Sequence, residues 1–290
     1  MCNHLGKTHY PDHARFLRVV VEKNERLARD TYRLRFDAPP IARAVCPGQF
    51  LMLRLADTDD PLLGRPLALY NTVLDGQGAA VGIDIVYLAL GKMTRRLAGL
   101  APGSVLEAWG PLGNGFPPSQ TGHLVMVAGG IGYTPFLALA AEALGYRAYG
   151  QGERRSQRAD KVTLCFGVRS AEYLPDLADF ARLGVEIRLA SEDGSAGHKG
   201  LVTDLVPAVI ESSAGPCRIV ACGPEPMLQA TAVLARSWGV PCLVSLESPM
   251  ACGMGICFSC VVKVRDPDGG WDYRRACVDG PVFDAERIQF

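Results

Sequence analysis

The chain has 290 residues, 48% apolar and 21% charged, with 30 basic side chains against 30 acidic ones. That length implies roughly two domains with ample material for buried cores, which excludes disorder as a description of the whole. A formal charge of zero excludes a generally basic surface of the kind that binds nucleic acid or an anionic membrane. Residues 15–118 read as β structure. Phe16 to Glu22 holds the run Val19-Val20-Val21, Thr31 to Phe36 alternates with period two, and Gln49 to Leu55 follows the turn signal Pro47-Gly48. Leu67 to Val73, Val81 to Leu88 and Val105 to Ala108 are further strands, and only Lys92 to Leu100 reads as helix between them. Short strands at this spacing predict a small antiparallel barrel.

Residues 119–245 change period. Strands at Leu124–Ala128, Val162–Gly167, Val185–Ala190 and Arg218–Cys222 alternate with helical patterns at Thr134–Leu144, Leu174–Leu183, Leu201–Ile210 and Glu225–Trp238. That alternation predicts βαβ units on a parallel sheet. Leu124 to Ala141 carries no charge, but its glycines and Pro135 divide it into strand, turn and helix rather than a membrane span. Gly150 to Asp160 is polar and Arg-rich and reads as a solvated surface loop. Residues 246–290 hold four of the ten cysteines, which marks a small module held by something other than a large apolar core. The tail with Cys2, His4, His9 and His13 matches no zinc spacing and reads as a frayed terminus. Without an apolar leader run before Arg15, the thiols are expected to be reduced and the protein cytoplasmic.

Cys252, Cys257 and Cys260, followed by the distant Cys277, have the C-x4-C-x2-C…C spacing of plant-type [2Fe–2S] ligation. Gly253 and Gly255 supply the backbone freedom for N–H groups to turn toward the sulfides. Zinc is the plainer alternative, yet zinc sites usually pair two short knuckles and only one stands here. Val127 to Pro135 runs from an apolar strand through Gly129, Gly130 and Gly132 into a helix at Thr134, a place for a pyrophosphate. Cys222-Gly223-Pro224 closes another strand, and both motifs lie beyond strand carboxyl ends, where open α/β sheets bind ligands. Together they predict a nicotinamide site. Cys222 there is either a neighbour of the nicotinamide or a small buried hydrophobe. Arg65 before Pro66, with the helix opening at Gly91-Lys92-Met93-Thr94, would hold both ends of a flavin pyrophosphate.

In order and content these stretches resemble the ferredoxin–NADP reductase superfamily and, within it, the electron-transfer subunits of type B dihydroorotate dehydrogenases. Gly64 to Leu67, Gly110 to Phe116, Gly129 to Gly132, Cys222 to Pro224, Glu247 to Cys260 and Cys277 to Phe283 carry the resemblance. It implies a multidomain β and α/β protein: an antiparallel flavin-binding β-barrel (15–118), a Rossmann-like parallel α/β nicotinamide domain (119–245) and a small C-terminal [2Fe–2S] module (246–290). It implies FAD on Arg65, Pro66, Leu67, Ala68, Val86, Tyr87, Leu88, Gly91, Met93 and Thr94. NAD falls to Gly129, Gly130, Gly132, Thr134, Cys222, Gly223 and Pro224, and the cluster to Cys252, Cys257, Cys260 and Cys277. Ala68 stands where the family usually has Ser, and Leu88 and Met93 where it has Arg and Gly. The resemblance then implies FAD binding weaker by about 1–3 kcal/mol where a charged hydrogen bond is lost, with Arg95 or Arg96 in compensation.

A flavin between nicotinamide and cluster converts hydride into single electrons, so no side-chain acid, base or nucleophile is nominated. Glu247 stands either at the flavin edge or as a solvated or paired carboxylate, and Phe258 either at a partner contact or in packing. The resemblance implies electrons from dihydroorotate, through FMN in a separate catalytic subunit of a heterotetramer, then through cluster and FAD to NAD. The rivals are a ferredoxin:NAD(P) oxidoreductase or a hydrogenase or sulfide dehydrogenase subunit and, in another class, a redox-sensing regulatory module. Arg169 at a strand end leaves NAD and NADP both open on residue chemistry, and the resemblance points to NAD.

Overall fold

The computed structural model describes residues 13–152, 154 and 156–290; Cys2, His4 and His9 of the tail lie outside them. Six strands, β1 (Arg15–Ala28), β2 (Thr31–Asp37), β3 (Phe50–Leu55), β4 (Arg65–Leu74), β5 (Ala80–Leu88) and β6 (Val105–Leu112), close into a barrel in the order β1-β2-β5-β4-β3-β6. All its pairings are antiparallel. Period-two burial builds its core: Val19, Val21, Leu34, Phe36, Leu51, Leu53, Ile83 and Ile85 face inward, while Val20 is exposed. The strand expected at Phe16 to Glu22 runs on to Ala28, because β1 pairs first with β6 and then, past Val20, with β2. A short helix α1 (Pro39–Ala42) joins the expected one, α2 (Lys92–Ala98), so the 92–100 segment is not the only helix in this region.

The second sheet orders its strands β10-β9-β8-β7-β11-β12-β15. Its elements are β7 (His123–Gly129), α3 (Phe136–Ala143), β8 (Lys161–Val168), α4 (Ala178–Arg182), β9 (Glu186–Ser191), β10 (His198–Lys199), α5 (Val206–Glu211), β11 (Cys217–Cys222), α6 (Glu225–Ser237) and β12 (Cys242–Ser245). The expected helix at 134–144 is a 3-10 turn, Gly130–Tyr133, followed by α3, whose every residue is buried. Helix 174–183 shrinks to α4, since Pro175 keeps Leu174 extended and Asp176 accepts from the Ala178 N–H. Helix 201–210 splits into a 3-10 turn and α5, with Pro207 at the start of the latter. The loop read as solvated is pinned instead: Arg154 donates twice to the buried Glu142 carboxylate at 2.8 Å and once to the Phe116 carbonyl at 3.0 Å.

The C-terminal stretch forms a hairpin, β13 (Val261–Arg265) with β14 (Trp271–Arg275). Its last strand, β15 (Val282–Asp284), pairs antiparallel with β12 and so becomes an edge of the α/β sheet. Among the described residues no helix is long and apolar enough to cross a membrane.

At the amino end of β7, buried His123 meets Ser213 Oγ through Nδ1 at 2.6 Å and Thr163 Oγ1 through Nε2 at 2.9 Å. Burial first, then the Lys161 charge, holds its pKa below the ordinary 6.5, with Glu186 opposing. The unfolded chain therefore takes up this proton before the folded one does, so His123 contributes stability above pH 6.5 that is lost as the pH falls toward the lower folded value. Thermal melts from pH 7 to 5 are expected to fall more steeply for the wild type than for His123→Asn. Parallel declines would assign the pH dependence elsewhere.

Candidate functional site

Strands β4 and β5 pair from Leu74↔Ala80 as far as Leu69↔Ile85 and then part. Beyond that point Arg65 to Ala68 pair with β3, and Val86 to Leu88 pair with β2. Each segment thus turns an edge without ladder partners toward the other, and these backbone donors and acceptors need partners. A flat ring system with polar edges suits such a cleft, so the residues fit FAD. Arg65 to Ala68 are half-buried along it, and Arg65 donates to the carbonyls of Leu63 and Gly64 at 3.1 and 3.0 Å. Gly91 caps α2, and Thr94 Oγ1 accepts from the N–H groups of Leu90 and Gly91, both at 3.1 Å.

Two of the nominated side chains point elsewhere. Met93 and Tyr87 are buried in the barrel core, where Tyr87 donates to Asn24 Oδ1 at 3.0 Å. Their share in a flavin site is therefore restricted to main chain. Val86 packs on the side facing the α/β domain, and Leu88 is half-buried. Of the two compensating cations, Arg96 is engaged with the Asp60 carbonyl and Arg95 is exposed on α2, while the neighbouring Lys92 holds the Asp60 carboxylate at 2.5 Å.

The two turns expected to hold the nicotinamide dinucleotide are fused to each other. In the parallel register Ala128 stands beside Cys222, so the turns after β7 and β11 emerge together. A Cβ on Gly132 would lie 2.1 Å from the Cys222 carbonyl oxygen, and one on Gly223 would lie 2.9 Å from the Gly129 nitrogen. Gly129 likewise abuts Met227 Sδ at 2.7 Å, whereas a Cβ on Gly130, at φ +52°, would meet nothing within 4 Å. Gly132 and Gly223 therefore permit close backbone approach, Gly129 leaves room for the Met227 and Pro224 side chains, and Gly130 alone faces open space. Thr134 is buried behind the turn, and Pro224 is exposed at the start of α6. Cys222 packs partly into the core, and burial, with the Glu247 charge next, pushes its thiol up to about 12. It is a neutral thiol between Ser245 and Glu247. Glu247 is exposed at the surface, and the protein atoms packed around its carboxyl raise its pKa.

In the C-terminal module the thiols fall into two pairs. Cys260 and Cys277 are buried with their sulfurs 3.2 Å apart, while exposed Cys257 lies within hydrogen-bonding reach of Cys252. A binuclear rhomb asks for two thiolates per iron, which this division matches. Among the described residues no three Cys, His, Asp or Glu side chains gather closely enough for a single metal ion. The Ser259 hydroxyl and N–H, with Cys252, pull the Cys257 thiol down to about 6, toward the thiolate that ligates. The Met254 N–H donates to Cys252 Sγ at 3.3 Å, and the Gly255 N–H reaches Cys277. Gly253 and Gly255 adopt φ +74° and +81°, as the sequence demands. These residues fit a [2Fe–2S] cluster.

Docking residues escaped the sequence reading. Trp109 Nε1 donates to the Cys252 carbonyl at 3.0 Å, and a Cβ on Gly253 would lie 2.7 Å from Met52 Cγ. Asn114 holds the closing stretch through the carbonyls of Asp279 and Val282 at 3.1 and 2.8 Å, and accepts from the Val282 N–H. The signal was the Gly113-Asn114-Gly115 turn, with both glycines at positive φ.

The fold and these three adjoining sites define an oxidoreductase that joins flavin, nicotinamide and iron–sulfur chemistry on one chain. Residues 18–116 match an oxidoreductase FAD-binding domain, 126–232 an oxidoreductase NAD-binding domain, and 247–289 the iron-sulfur cluster binding domain of dihydroorotate dehydrogenase B. FAD, NAD and a [2Fe–2S] cluster are thus its cofactors. The dihydroorotate dehydrogenase B (NAD+) electron transfer subunit of Caldanaerobacter subterraneus subsp. tengcongensis is 34% identical, with 94% of this chain and 98% of that one covered. Its counterpart in Geobacillus thermodenitrificans is 36% identical over 93% and 97%. A solved NADH-dependent reduced ferredoxin–NADP oxidoreductase superposes with TM-score 0.76 at 27% identity, over 98% of this chain and 91% of its own. The chain belongs to the family of dihydroorotate dehydrogenase B electron transfer subunits.

Proposed function

We propose that this chain carries electrons from a catalytic dihydroorotate dehydrogenase subunit, through its own cluster and FAD, to NAD+ in cytoplasmic pyrimidine biosynthesis. The catalytic partner holds FMN, and the assembly is a heterotetramer. The observation that carries the reading is the seat of the cluster loop. Gly253 abuts Met52 on β3, and Met52 is the cross-strand partner of Pro66 on the flavin strand. One strand spacing, about 4.8 Å, therefore separates the cluster's support from the flavin's.

Bound FAD exchanges hydride with nicotinamide and single electrons with the cluster. The protein's part is placement. The fused turns at Gly132 and Gly223 hold the dinucleotide end of the sheet, and no side chain has to move a proton. Met254, Ile256 and Phe258 are exposed around Cys257, with Phe258 at φ +57°. Phe258, exposed with the Arg275 guanidinium 5.3 Å from its ring centre, suits an apolar partner contact.

The purified holoprotein is expected to reduce artificial acceptors with NADH and to leave dihydroorotate untouched. Adding an FMN-containing catalytic subunit is expected to restore dihydroorotate-dependent NAD+ reduction. Oxidation of dihydroorotate by the chain alone would overturn the reading.

A further inference from the structure

The boundary between barrel and α/β domain carries a partly buried polar cluster that contains none of the residues assigned above to a cofactor. Arg33 on β2 forms an ion pair with Asp179 on α4, and its Nε lies 3.9 Å from Asp84. Tyr70 on β4 donates to the same Asp179 Oδ2 at 3.1 Å, while the Arg33 guanidinium sits 5.1 Å from the centre of the Tyr70 ring. Burial first, then the neighbouring Tyr133 and Asp179, keeps the Tyr70 phenol well above its ordinary range, so it remains a donor. The other groups facing Asp179 and Asp84 are Arg182, at 3.3 Å from Asp179, and Arg35, which holds Asp84 at 2.7 Å.

Each member is tied to a segment of the redox site. Arg33 is the ladder partner of Val86. Tyr70 lies at the bulge between Leu69 and Asn71, just past Ala68. Its ring meets the edge of Tyr133 at 6.1 Å, and Tyr133 closes the glycine-rich turn. Tyr133 in turn packs on Phe166 at 5.1 Å and on Phe180, next to Asp179, at 6.3 Å. The Tyr133 hydroxyl is buried and has no hydrogen-bond partner among the described residues, so ring contacts rather than hydroxyl bonds fix the turn against the barrel. A partly buried ion pair is a poor source of net stability, because desolvation offsets its attraction. Its directional bonds restrict how two bodies can be oriented.

We propose that Arg33, Tyr70 and Asp179 are positioning residues for hydride transfer, holding the glycine-rich turn at a set distance from the flavin strands. The inference rests on the proposed function, because it needs NADH to reduce the bound flavin. Misplacement of a reacting pair by a fraction of an ångström to 1 Å costs about ten- to a hundredfold in rate.

The test is rapid anaerobic reduction of the FAD- and cluster-loaded protein by NADH and by its 4-deuterated form. Wild type, Asp179→Asn, Asp179→Glu and Tyr70→Phe are compared, with FAD content, cluster circular dichroism and melting temperature recorded for each. Asp179→Asn is expected to lower the limiting flavin-reduction rate about tenfold and to raise the deuterium effect. Its NADH affinity, FAD content and cluster spectrum are expected to stay unchanged, and Asp179→Glu to recover most of the rate. Should Asp179→Asn fail to fold, Tyr70→Phe keeps the ring beneath Arg33 and is expected to show the same split at about threefold. A lowered melting temperature with unaltered rate and isotope effect would reduce the cluster to a structural brace and overturn the inference alone. A wild-type flavin that NADH does not reduce would overturn the proposed function and this inference with it.

Discussion

Cys260→Ser is expected to cut dihydroorotate-dependent NAD+ reduction by the assembled enzyme at least about a hundredfold, while NADH-to-dye activity changes less than about twofold. Cys260 is buried, 3.2 Å from Cys277, in a small core with Met52 and Leu112. Serine is nearly isosteric, so the loop can still close. Its hydroxyl, however, does not ionise near neutrality and is a poor ligand for iron that prefers thiolate. The FAD strands belong to the barrel, and the nicotinamide turns to the α/β sheet, so both survive. Iron and labile sulfide analysis should show the cluster lost, with FAD retained at wild-type content. Persistent dihydroorotate coupling in cluster-free protein would show that electrons take another route.

Gly132→Ala is expected to raise the NADH concentration needed for half-maximal flavin reduction about tenfold or more, and Gly130→Ala to alter it little. The new methyl at Gly132 would sit 2.1 Å from the Cys222 oxygen, 2.4 Å from the Cys222 carbonyl carbon and 2.7 Å from the Gly223 nitrogen. All three are backbone atoms, so no side chain can swing aside and the two turns must separate. Overpacking of this kind costs about 1–3 kcal/mol or more, and 1.4 kcal/mol is about tenfold in an equilibrium constant. Gly130 has open space around a Cβ, and its φ of +52° adds only local strain of about 1–2 kcal/mol. Titration of flavin bleaching with NADH in both variants measures the difference. Equal effects would place the dinucleotide away from these turns.

What could be read from the chain itself was what depends on near neighbours. The C-x4-C-x2-C spacing, with Gly253 and Gly255 between its ligands, describes a cluster loop because ligation geometry is set within a few residues. The barrel strands were legible because one buried face imposes alternation, as at Val19, Val20 and Val21. The glycine-rich turn was legible as a turn, but Gly132 there and Gly223 in the facing turn were read as ligand contacts when they first let the turns after β7 and β11 close on each other.

Only the tertiary structure decided the rest. Met93 and Tyr87 were nominated for the flavin from their places in the sequence, yet the barrel core claims both side chains. Whether β15 belongs with the cysteines or with the sheet depends on pairing with β12, nearly forty residues earlier in the chain. The seat of the cluster loop on Trp109 and Met52, and the meeting of Arg33, Tyr70 and Asp179, join residues more than a hundred positions apart. Local periodicity carries no record of such contacts. They are chosen by which faces of two already formed elements can bury each other, and that choice exists only once the chain has folded.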